Sequence, residues 1–104
     1  MSIITKDWFA QIDRMPYEPS FRTNGTVTVP NPGVTPKLVA SNLQDKSFDL
    51  RLDLTLETED GIWPQVLTDK FVEYRVPGNS NVSAVSIYFE GELIHHIDEV
   101  MITH

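Results

Sequence analysis

The sequence predicts a mainly β fold: an antiparallel β-sandwich of immunoglobulin-like architecture with one short N-terminal helix, forming a single domain over residues 1–104. Three observations carry that expectation. Phe48, Leu50, Leu52, Leu54 and Leu56 alternate without a break against Asp49, Arg51, Asp53, Thr55 and Glu57. Turn-forming residues then punctuate the chain at Asp60-Gly61, Pro77-Gly78-Asn79 and Glu90-Gly91. The intervals between apolar runs leave no room for the crossover helices that usually join parallel neighbours, so the strands should run as an antiparallel meander from about Ser47 to the C-terminus.

Taken in order, Trp8, Phe9, Ile12 and Met15 fall within one arc of a helical wheel, with Lys6, Asp7, Asp13 and Arg14 on the other side. That spacing predicts a short amphipathic helix from Thr5 to Arg14, capped by Thr5 and stopped before Pro16. Asn24-Gly25 reads as a turn, Thr26 to Val29 as a short strand, Asn31-Pro32-Gly33 as a second turn and Leu38 to Ala40 as another short strand. Prolines at 30, 32 and 36 cannot donate to a ladder, which places these strands at sheet edges.

The leucine-rich run from residue 48 to 57 is the strongest element, because a strict period of two overrides leucine's preference for helix. A loop of about ten residues, unusually long for a hairpin, leads to a strand from Lys70 to Val76. Strands Val82 to Phe89 and Glu92 to Ile97 follow, joined at Glu90-Gly91, and Val100 to Thr103 closes the chain. About seven strands over this length fit a sandwich, with a small barrel as the alternative.

Composition bounds the function. A chain of 104 residues that is 40% hydrophobic, with two Trp, three Tyr and five Phe, is globular. It has no cysteine, which excludes disulfide frameworks, thiol catalysis and thiolate metal sites. The formal charge of −7, with eight scattered Lys and Arg, argues against nucleic acid and anionic membranes as partners. Apolar runs such as Val85 to Phe89 are too short to span a bilayer. The start, Met1 to Asp7, lacks a basic stretch followed by a long apolar one, so the expected location is cytoplasmic.

Four groups of residues could carry chemistry. His95, His96, Asp98, Glu99 and His104 include metal-ligating types, but neighbours on a strand point to opposite faces, so no metal is expected. A two-residue turn at Glu90-Gly91 would set Tyr88 against Leu93, Ser86 against His95 and Val85 against His96. Asp49, Asp53 and Glu57 form an acidic row around Arg51; residues four apart on a strand lie about 13 Å apart, too far to share one cation. The row therefore reads as a solvated face, able to steer a basic partner.

The loop Gly61 to Leu67 holds Ile62, Trp63, Val66 and Leu67, which either fold back as a plug or offer a contact surface. The hairpin from Ala84 to Ile97 is expected to be apolar on both faces, with Val85, Ile87, Phe89 and Ile94 on one and Ala84, Tyr88, Leu93 and Ile97 on the other. A sheet apolar on both faces is covered twice, by core and by the N-terminal helix or a second subunit.

Glycine-rich phosphate loops, a nucleophile elbow and the helix-borne zinc motif are absent, so catalysis is the less favoured class. The expectation is a non-catalytic binding or assembly module without cofactor or metal, pairing with a protein partner or itself. Its contacts are expected at Trp63, Tyr88, Leu93 and His95. The rival reading is a small-ligand carrier or minor enzyme with an apolar pocket lined by Trp8, Trp63, Tyr74 and Tyr88.

Overall fold

A computed structural model describes residues 3–42, 44, 49–78 and 80–103. Eight strands run in the order β1 (Ile4–Asp13), β2 (Ser20–Val29), β3 (Val34–Ala40), β4 (Asp49–Thr58), β5 (Thr68–Pro77), β6 (Ala84–Phe89), β7 (Glu92–Ile97) and β8 (Met101–Thr103). They form two packed four-stranded sheets, β5-β2-β1-β8 and β3-β4-β6-β7. The inner faces meet in a core that includes Ile12, Phe21, Val27, Leu52, Val85 and Ile87, all fully buried or nearly so. Leu52 and Leu54 bring the predicted apolar face of β4 into that core, while Arg51, Asp53 and Thr55 point away from it. Phe48, at the head of that pattern, lies outside the described residues.

The N-terminal helix is corrected: among the described residues there is no helix, and Ile4–Asp13 is strand β1. Its pairing with β2 is regular from Ile4 to Lys6 and again from Phe9 to Asp13, but Asp7 and Trp8 together oppose Gly25. This is a β-bulge, with Asp7 in the left-handed region at φ 58°. The extra residue turns Trp8, Ala10 and Ile12 toward the second sheet. Trp8 and Phe9, both apolar and adjacent, are what made the segment resemble a helix face.

Two further expectations change. Asn24-Gly25 is no turn but the middle of β2, an interior strand of ten residues. A Cβ on Gly25 would lie 2.4 Å from Cε3 of Trp8, so the glycine lets the indole lie flat on the strand. Nor do the later strands form a meander. β4 and β6 are parallel neighbours, with β5 crossing to the other sheet between them, and β1 and β8 are also parallel. A strand in the opposite layer serves here as the crossover, made possible by residues 59–67. β3, which contains Pro36, does lie at a sheet edge. No helix among the described residues is long and apolar enough to cross a membrane.

Candidate functional site

The β6–β7 hairpin turns at Glu90 and Gly91, both at positive φ (53° and 83°), the geometry that matches the twist of the flanking strands. Tyr88 faces Leu93 as the two-residue turn requires, and then the register slips: Ile87 faces His95, Ser86 faces His96 and Val85 faces Ile97. Ile94 is the additional residue in β7. The slip sets His95 beside Ile87 and Ile97 beside Val85, with His96 on the other face beside Ser86; Ile97 is buried and His95 stays exposed, and the outer face of the hairpin is not the wholly apolar surface expected.

That outer face holds a polar chain instead. The Ser86 hydroxyl lies 2.9 and 3.1 Å from the two carboxylate oxygens of Asp49 and 2.9 Å from Nδ1 of His96. An ionised carboxylate only accepts, so the hydroxyl donates to Asp49 and accepts from His96, which fixes the Nδ1–H tautomer. The order differs from a nucleophilic triad, where the imidazole stands between hydroxyl and carboxylate. Here the hydroxyl stands in the middle, is only 4% exposed and has its proton committed to Asp49. The arrangement ties β4, β6 and β7 together. It does not activate the serine.

Beside it, the Arg51 guanidinium lies over the Tyr88 ring, 5.7 Å from its centroid. Glu57, further along the acidic row, pairs with Lys37 of β3 at 2.9 Å. Among the described residues no three His, Asp or Glu side chains are grouped to hold a metal ion, and His104 lies outside them.

An open groove of about 1160 Å³ lies at the end of the sandwich where β1 begins and β4 and β6 finish. Its apolar part lies between the sheets, lined by Ile3, Val34, Leu54, Leu56 and Phe89, with Ile4 and Leu67 on the rim. Its polar part continues over Arg51, Asp53 and Tyr88. A second, smaller recess of about 530 Å³ lies between β1 and the segment from His95 to Met101. There Trp8 stacks on His95 with ring centroids 5.8 Å apart and planes at 21°, while its Nε1 donates to Thr5 Oγ1 at 2.9 Å. Burial, and secondarily the neighbouring His96, hold His95 below its ordinary pKa.

No family model, curated protein or solved structure matches this chain.

The residues singled out from sequence therefore scatter. Tyr88 lines the groove, and Leu93, 54% exposed, is its cross-strand neighbour. His95 belongs to the separate recess. Trp63 packs on Gly33, where a Cβ would come within 2.3 Å of its Nε1, and donates to the Glu59 carbonyl at 3.1 Å. Its loop divides between the core side and the surface. Trp63 folds back as an anchor, and Ile62, Val66 and Leu67 stay on the surface, Ile62 fully exposed and Leu67 72% exposed. Trp8, Trp63, Tyr74 and Tyr88 do not converge on one pocket: only Tyr88 lines the groove. Ile3 and Ile4, groove residues that sequence reasoning passed over, sit at the start of β1, where alternation stops indicating which side chains the core covers.

Proposed function

We propose that this protein is a non-catalytic binding module whose end groove accepts an apolar segment of a partner protein. The observation that carries the reading is the groove itself, with Leu54 and Leu56 on its floor and the exposed Ile4 and Leu67 on its rim. Large exposed apolar patches rimmed by polar residues are characteristic of interaction sites. The chain's charge of −7, together with Asp53 and Glu90 in the lining, favours a segment flanked by Lys or Arg. Tyr88, on the outer face of β6 beneath Arg51, lines the polar extension of the groove and offers an aromatic contact there. Trp63 supports the site from behind by holding the 59–67 loop against Gly33. The immunoglobulin-like reading belongs with this proposal. Two packed sheets and the adjacency of β1, β2 and β5 support it, and the parallel β4–β6 pair departs from the all-antiparallel pattern.

Selection of a random peptide display library on the immobilised protein tests the proposal. Enriched peptides should combine bulky apolar residues with flanking Lys or Arg, and Leu67→Asp should abolish their binding while leaving the circular dichroism spectrum intact. Absence of enrichment, or binding indifferent to Leu67→Asp and Leu56→Asp, would overturn it. A small-ligand carrier would put an apolar molecule in the same groove; competition between such a molecule and the selected peptides would then bring that rival forward.

A further inference from the structure

β5 ends the first sheet. Its ten residues pair with β2 in unbroken register from Thr68 to Pro77, and no other strand among the described residues pairs with its outer edge. Natural proteins blunt such edges with bulges, prolines, inward-pointing charges or short strands. In β5 Lys70 reaches the Pro32 carbonyl near one end, Pro77 closes the other, and the charges of Glu73 and Arg75 stand between them. The stretch from Phe71 to Val76 pairs with no further strand among the described residues, although β3 of the second sheet packs against β5, and Phe71 is 65% exposed.

The outer face of this strand carries Asp69, Phe71, Glu73 and Arg75. Asp69 is already engaged, by Lys6 at 3.1 Å and by the Thr28 hydroxyl at 2.6 Å. Glu73 and Arg75 make no ion pair or side-chain hydrogen bond among the described residues. Arg75 is moreover set directly opposite Arg22 of β2, a like-charge pair that disfavours the sheet unless something offsets it. Arg22 donates to Gln11 through Nε and Nη2, at 3.1 and 2.8 Å. Arg75 has no side-chain partner among the described residues.

We propose that two copies of this chain associate edge to edge through β5, antiparallel about a two-fold axis at Tyr74, with Glu73 of each copy facing Arg75 of the other. Opposite charges two residues apart on one face of an edge strand are self-complementary under such an axis, as an isologous contact requires. In this register outer face meets outer face, Phe71 lies against Pro77, Val72 against Val76, and the two four-stranded sheets become one of eight strands. A register centred on Val72 would face Asp69 with Arg75, but it spends a carboxylate already held by Lys6 and leaves Glu73 against Phe71. The contact lies along the side of the sandwich and does not depend on the groove.

Sedimentation equilibrium over a concentration series tests this with the full chain and charge-reversed variants. The natural sequence should show a monomer–dimer equilibrium. Glu73→Arg and Arg75→Glu should each weaken it by about tenfold or more, since each replaces two cross-copy ion pairs with like-charge contacts. The double variant Glu73→Arg/Arg75→Glu should restore it, which the Val72-centred register would not allow. Leu67→Asp, which disables the groove, should leave the dimer unchanged. A monomer at every concentration, a dimer indifferent to both single reversals, or a double variant that stays monomeric would each overturn the proposal. Glu73→Gln and Arg75→Gln replace any reversal that loses its circular dichroism spectrum; they should weaken the dimer in the same direction.

Discussion

The close approach of Trp8 to Gly25 yields a prediction whose sign changes with background. An alanine at position 25 would place its Cβ 2.4, 2.6 and 2.8 Å from three carbons of the indole. Carbon atoms prefer about 3.5–4.0 Å, so the ring must retreat by about 1 Å or the strand must bend. The ring also stacks on His95, with centroids 5.8 Å apart, so its retreat would disturb that contact. Overpacking of this kind costs about 1–3 kcal/mol. Alanine recovers about 0.5–1 kcal/mol over glycine within a strand, because glycine loses more freedom on folding. The net expectation for Gly25→Ala is a destabilisation centred on about 1 kcal/mol, each kcal/mol lowering Tm by about 4–8 °C in a domain near this size. In a Trp8→Ala background the obstacle is gone, and the same substitution should stabilise by about 0.5–1 kcal/mol. Urea unfolding followed by far-ultraviolet circular dichroism reads all four corners of this cycle without relying on indole fluorescence. If Gly25→Ala is neutral in the natural sequence, or costs the same in both backgrounds, the indole does not rest on Gly25 and the bulge does not orient it.

Three further outcomes are expected. Ser86→Ala should cost about 1 kcal/mol, and nitrogen-15 shifts should show His96 losing its Nδ1–H preference. Trp63→Ala should change global stability little but accelerate amide exchange and proteolysis across residues 59–67, since the indole holds that loop on Gly33 and Glu59. His95 is held below its ordinary pKa, first by burial and then by His96. Its neutral form is thus favoured in the folded state, and the stability it contributes is fully present above the unfolded value of about 6.5 and lost as pH falls through the lower folded value. The urea midpoint should fall from pH 7 toward 5, and His95→Gln should flatten that slope.

What could be read from the sequence was the regular part of the fold. β4 and the β6–β7 turn were legible because each depends on residues next to one another: an unbroken apolar alternation in one case, Glu90-Gly91 in the other. Sheet membership was not. Nothing between Thr58 and Thr68 distinguishes a long hairpin loop from a crossing to the opposite layer, so the parallel β4–β6 pair had no local signature. The groove was equally hidden, because it is assembled from the ends of strands far apart in sequence.

The remaining misreadings share one cause. In β1 the period of two is present as Trp8, Ala10 and Ile12, but Phe9 interrupts it, and the bulge at Asp7 breaks continuity with Thr5. In β7 the apolar alternation fails at Ile94, and the histidines exchange faces. Each bulge adds one residue and inverts every side chain beyond it. Together they bring Trp8 of the first sheet and His95 of the second onto one another. The two irregularities thus meet in one contact, Trp8 on His95, at the recess where β1 approaches the segment from His95 to Met101.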